Sequence, residues 1–450
     1  MEPLQPEPWA LFISHFSGEK RLKNEEGRRE EMEGYLPQVA LDQQDGMRMV
    51  KMRMTGFPKA EKSYGYTFNP YVGLHDKPSE KPRFICSPDP AILAKLGKWT
   101  HAQTKWLAHT FTWRDNMYYA GCSNPGELNA WLNRTLKMIE DFWSLADDIS
   151  AMDSNHSEHS FAFHRRVRQR QFPHIDVWIE AAYNGEEHIR VKVGQFTFSV
   201  GFVNASGVSD TSYKNSLLWL YIRCLAIVHA LFDITTLNDA EILRLMECVK
   251  AQCCMAASGD DGLVRLPSVV EGVSMTQFNL DRYRQAWEWS GFPVKVMIIP
   301  PNRWRMATFL AMRPTWCGNE YRWTPEPARR MRGMFWQIDN TMHPVSWGRG
   351  IASQVLLQSG PLPVLSDICK WYLSNTQGPI AKVSATNEYS PFHNSVAEGD
   401  VNDRSLTEFL LDYHCTRADY DRFLSILSYT RDVLVNLDCF ILTRIFQEES

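Results

Sequence analysis

The chain lacks a dominant charge, a paired-cysteine motif, a glycine-rich phosphate loop and any internal repeat. Formal net charge is −4 across 450 residues and the pI is about 6.4. That excludes a protein coated in basic charge, although an average over the surface leaves room for a local basic channel. The 10 cysteines include no C-x-x-C pair, and Cys253 and Cys254 are adjacent. Such spacing suits neither a zinc site nor a disulfide framework, so free thiols in a reducing compartment are expected. "GRGIAS" at Gly348 approaches the G-x-G-x-x-G pattern but follows no strand pattern, and no G-x-x-x-x-G-K-[ST] loop occurs. Nucleotide handling must therefore use other means. "MEPLQPEPWA" has no basic region followed by an apolar core, so no secretory leader is expected. The sequons at Asn133, Asn155 and Asn204 then carry no weight.

What is present is a packed, globular composition: 44% apolar, 22% charged and 16 Trp. The length suits about two or three domain-sized units. One stretch, residues 216–234 (SLLWLYIRCLAIVHALFDI), could pass for a membrane span. It carries Arg223 and His229, costly at a bilayer centre, and a buried helix is the expected reading. Periodicity predicts a solvated helix over 18–34 and extended segments and loops over 47–90. Helices are predicted over about 91–113, 127–145, 210–232, 239–252 and 277–290. Strands are predicted as a pair in 188–202, as strand–turn–strand over 254–266, and at 294–299 and 307–312. From about 324 the pattern is mainly helical. No regular βαβ rhythm is present.

Two acidic clusters stand out. "LADDISAMDSNHSEH" (145–159) holds Asp148 and Asp153, and "CMAASGDDGLVRL" (254–266) holds Asp260 and Asp261. Carboxylates converging from separate segments resist ionising together unless hard cations lie between them. Two such cations serve phosphoryl transfer. Asp148 at a strand end facing Asp260 at a hairpin tip would make such a pair, with Gly259 and Gly262 letting the backbone turn and approach a phosphate. A plain Asp–Gly turn and a helix cap with a surface charge are the alternatives. Between the clusters, "NASGVSDTSYKNS" (204–216) sets Thr211 and Asn215 on one helix face after a Ser206-Gly207 break. "HSEH" (156–159) reads as a helix surface rather than a zinc site. "HRRVRQRQ" (164–171) is either a solvated face or a track for an RNA backbone.

In this order the three segments resemble motifs A, B and C of viral RNA-dependent RNA polymerases of positive-strand RNA viruses, in the tombusvirus-like and nodavirus-like group. Residues 59–85, KAEKSYGYTFNPYVGLHDKPSEKPRFI, resemble motif F; "GFPVKV" (291–296) and "FLAMRP" (309–314) sit where motifs D and E belong. The resemblance covers about 56–314. It implies an α+β right-hand polymerase with fingers, a palm built on an antiparallel sheet, and a helical thumb. The implied division is 1–140 N-terminal fingers and fingertips, 141–165 palm, 166–203 fingers insertion, 204–320 palm and 321–450 thumb. It implies template-directed transfer of nucleotidyl groups from nucleoside triphosphates to an RNA 3′ end, as in viral genome replication and transcription. Asp148, Asp260 and Asp261 would hold Mg²⁺ or Mn²⁺. Asp153 and Asn215 would sense the ribose 2′-OH, while Ser206, Gly207 and Thr211 would position template and nucleotide. Lys59, Lys62, Lys81 and Arg83 would line triphosphate entry, with Glu61 orienting one of these cations. Lys295 would be either the general acid for pyrophosphate or a solvated strand-end lysine. Implied partners are template and nascent RNA, nucleoside triphosphates and a viral membrane-anchoring replication protein, at a membrane-associated complex in the host cytoplasm. A reverse transcriptase and an inactive polymerase-like RNA-binding subunit are the alternatives.

Overall fold

A computed structural model describes residues 3–16, 18–32, 41–44, 47–50, 52–58, 66–69, 73–76, 84–139, 141–205, 210–334, 342–381, 399–430 and 439–449. Its central sheet has five strands, in the order Val294–Ile299, Phe142–Ile149, Asp261–Pro267, Cys254–Ser258 and Met117–Tyr119. Neighbours are antiparallel except the last pair, which is parallel.

Period-2 alternation sends successive side chains to opposite faces. Leu145, Ile149, Val264, Leu266 and Met255 enter one core, against Trp219 and Ile222 of the helix Thr211–Phe232. Phe142, Leu263, Cys254, Ala256 and Tyr118 enter a second core with Trp131 of the helix Pro125–Met138 and Trp323. The sheet is therefore covered on both faces along most of its length.

The long apolar run is the central helix of the first core, with 78% of its most apolar window buried. Arg223 in it is 0% exposed and forms an ion pair with Asp147 of the central sheet. Its charge is met by protein, as a core helix requires. A second, four-stranded sheet is ordered Phe196–Gly201, His188–Val193, Arg53–Pro58 and Phe84–Pro88. Gly194, with φ +58°, closes the hairpin between its first two strands. Helices Pro344–Ser359, Leu365–Asn375, Asp403–Asp412, Arg417–Tyr429 and Phe440–Glu448 gather around Val355, Cys369, Phe409, Phe423 and Ile445. The chain mixes helices with several small, mostly antiparallel sheets and shows no regular βαβ repeat, consistent with the α+β class.

Two predicted elements differ. The helix expected to reach residue 145 ends at Met138, and Ile139 is extended at φ −130°, ψ 110°. The apolar residues that prolonged the pattern belong to the strand Phe142–Ile149, which is hydrogen-bonded on both sides, so tertiary pairing overrides local periodicity. The strand expected at 307–312 is instead a turn. Leu310 and Ala311 have φ +55° and +57° between the bridged Phe309 and Met312, and the strand is Met312–Trp316. Neither turn residue is the Gly or Asn that normally announces two consecutive positive φ angles.

Candidate functional site: the carboxylate end of the central sheet

Register sets the site. Asp148 is the cross-strand partner of Asp261 on one side and of Lys295 on the other. Directly opposed residues share a face, with Cα atoms roughly 4.5–5.5 Å apart. Asp261, Asp148 and Lys295 thus form one row at the open end of the second-core face, and all three are exposed. Ser258 pairs with Asp261, leaving Gly259 and Asp260 as a two-residue turn. Gly259 has φ +67°, the conformation a II′ turn demands at its first central position. Its N–H donates to Ser216 Oγ at 2.7 Å, which ties the turn to the core helix. Asp148 is therefore opposite Asp261, while Asp260 stands at the hairpin tip.

Asp261 is open to solvent at its surface but crowded by protein on its flanks. This under-solvation pushes its carboxyl up to about 6; Asp260 and Asp148 add like-charge repulsion and the Arg329 guanidinium opposes it. Arg329 lies on the helix Pro327–Gly333, outside every recognised motif, and sequence reasoning missed it. Among the described residues, the three carboxylates do not form a group with ligand atoms within 4.8 Å of one another. Oxygen-only donors and mutual repulsion fit a hard divalent cation such as Mg²⁺.

The neighbouring Asp147 does different work. It points to the opposite face, where Tyr283 Oη donates to its Oδ2 at 2.7 Å and Arg223 forms the ion pair. The Arg223 guanidinium lies 3.9 Å from the Trp219 ring centroid. Gly262, expected to approach a phosphate, shares that face instead. A Cβ there would stand 1.7 Å from the Trp219 indole, so the glycine exists to let the helix pack.

A second cluster joins residues far apart in sequence. Asn215 Nδ2 donates to Asp153 Oδ1 at 2.8 Å. Asn215 Oδ1 accepts from Asn204 Nδ2 at 2.8 Å and contacts His156 Nε2 at 3.0 Å. A carboxylate only accepts, so the amide must turn its NH₂ to Asp153 and its oxygen to the other two. His156 Nε2 then carries the proton, and Nδ1 faces Ser160 Oγ at 3.1 Å. The expected helix-surface role for His156 is thus corrected: it is 7% exposed. Burial lowers its pKa to about 4, the Asn215 bond opposing, so it is neutral near pH 7. Thr211 Oγ1 donates to the Ala205 carbonyl at 2.8 Å, and Asn204 N donates to the Asp153 carbonyl at 2.9 Å. These bonds brace the loop ends against each other.

The basic run 164–171 lies on the helix Glu158–Gln171 and is partly consumed by structure. Arg165 pairs with Glu187, and Arg168 is buried 4.2 Å from the Tyr183 ring centroid. Arg166 and Arg170 remain exposed. "GRGIAS" falls inside the helix Pro344–Ser359, with Gly348 packed on Tyr372, where no phosphate loop is formed. Ser206, Gly207, Lys59, Glu61, Lys62, Lys81 and Arg83 lie outside the described residues. No protein-family model and no curated protein matches the chain.

Proposed function

We propose that the chain is an RNA-dependent RNA polymerase with a right-hand fold. The central sheet would be its palm, the segments around the four-stranded sheet its fingers, and the C-terminal helices its thumb. One observation carries this reading. The strand register sets Asp148 opposite Asp261, and the same core helix braces their turn through Ser216 and orients Asp153 through Asn215. A plain Asp–Gly turn gives no reason for that convergence.

Asp148, Asp260 and Asp261 would hold Mg²⁺ or Mn²⁺. When bound, such ions supply charge neutralisation for the triphosphate and alignment of the attacking RNA 3′ oxygen. Asp153 accepts a hydrogen bond from the incoming ribose 2′-OH, a group that deoxynucleotides lack. Asn215, 3% exposed, fixes that carboxylate rather than meeting solvent itself. Lys295, in the row beside Asp148, would hold a proton for departing pyrophosphate. Lys59, Lys62, Lys81 and Arg83 would receive the triphosphate, and Ser206, Gly207 and Thr211 would seat template and nucleotide. Template and nascent RNA are the macromolecular ligands, and a membrane-anchoring viral protein is the partner at a membrane-associated replication complex in host cytoplasm.

The test is Asp260→Ala in a nucleotide-incorporation assay. Asp260 is exposed at a turn tip, so the variant should fold as the parent does and incorporate nothing. Undiminished incorporation removes the metal assignment.

A further inference from the structure

We propose that Glu7, His15 and His101 form a binding site for a transition-metal cation of the zinc class, independent of the carboxylate row. One potential ligand atom from each of the three lies within 4.8 Å of the others. They come from three places: the segment before the short helix Trp9–Ser14, its C-terminal cap, and the helix Pro90–Thr110. Packing fixes the approach, because Phe12 sits so close over Gly97 that a Cβ there would lie 2.4 Å from the ring. Glu7 N also donates to the Lys98 carbonyl at 3.2 Å.

The two oxygens of Glu7 have different surroundings. Oε1 accepts from Lys105 Nζ at 2.6 Å and contacts His15 Nε2 at 3.2 Å. Oε2 lies 2.5 Å from His101 Nδ1, yet neither atom has a hydrogen-bond partner of sound geometry. The Glu7 side chain is 5% exposed, so its Oε2 needs a proton or a cation between it and His101 Nδ1. A cation shared by Oε2, His101 Nδ1 and His15 Nε2 would take the place of that proton, the Oε2 and Nδ1 atoms separating to admit it, with Lys105 as the outer hydrogen bond that orients a ligating carboxylate. Two imidazoles and one carboxylate, with His15 34% and His101 27% exposed so that water can reach the site, suit zinc rather than Mg²⁺ or Ca²⁺. A bound ion would pin the N-terminal segment to the long helix.

The experiment titrates metal-stripped, untagged full chain with Zn²⁺ by calorimetry, and with Co²⁺ for the visible absorption of a four-coordinate site. One ion per chain is expected, together with a higher thermal midpoint. His15→Ala and His101→Ala should each weaken Zn²⁺ binding on the order of a hundredfold. His15 is 34% exposed, so its variant keeps the fold. Absence of binding, or binding that both variants retain, overturns the proposal and leaves an ion-pair clasp only.

Discussion

Asn215 cannot reverse its amide without setting an oxygen against the Asp153 carboxylate. Its orientation is fixed by Asn204 and His156, which lie 11 and 59 positions away in sequence. The pairing of Asp153 with Asn215 came with the resemblance to motifs A and B. The two residues that aim it were not legible in the sequence, because Asn204 precedes the helix that carries Asn215 and His156 lies on a separate segment, so no periodicity links them to it. Removing the aim should relax sugar selection. Asn215→Ala is expected to lower the preference for ribonucleotides over deoxynucleotides about tenfold, the worth of one hydrogen bond of roughly 1.4 kcal/mol. His156→Leu should shift it in the same direction. Competing rNTP and dNTP incorporation measures both, and unchanged preference removes these residues from sugar reading. His156 also makes an acid-stability prediction. Its folded pKa of about 4 lies below the ordinary histidine value, so the unfolded chain binds more protons between about pH 6.5 and 4. Stability from this group is full above pH 6.5 and is lost as pH falls toward 4, by roughly 2 kcal/mol at pH 5. His164, fully buried and pushed down by burial and then by Lys214, His156 and Arg168, acts in the same sense. Denaturant titrations at pH 7 and 5 check this; a flat profile contradicts the buried neutral imidazoles.

At the scale of elements, the helix Thr211–Phe232 organises the site. Successive turns carry Asn215 and Ser216 to the site, Trp219 to Gly262 and Arg223 to Asp147. The helix and the hairpin strands were legible from periodicity, and the helix Asp239–Gln252 matches its predicted limits. The division of labour between Asp147 and Asp148 was not. A strand alternates faces, and only the pairing register tells which carboxylate meets solvent. The role of Gly262 was misread for the same reason, since its Cβ direction follows from the sheet. Gly262→Ala should cost about 3 kcal/mol, because Trp219 is 0% exposed and has nowhere to move. Arg223→Met strands a buried carboxylate and should cost about 3–5 kcal/mol, with Asp147→Leu alongside it restoring part. Chemical denaturation reads both; near-neutral effects would place these residues elsewhere.

At the scale of the whole molecule, the sheet order runs against the order of the sequence. The two aspartate-bearing strands are separated by 111 residues between Ile149 and Asp261, yet lie side by side. Local patterns specify strands but not neighbours, so the class came with the resemblance and the sheet order was not legible in the sequence. The Glu7–His15–His101 cluster was invisible for a related reason, as His101 meets the others only through helix packing. The central claim is that this order exists to make template-directed RNA. The most direct measurement gives the purified chain an RNA primer annealed to an RNA template, with nucleoside triphosphates and Mg²⁺ or Mn²⁺. The account predicts extension of the primer by the complement of the template, lost in Asp260→Ala. Absence of extension with either metal, or addition that ignores the template sequence, would contradict it.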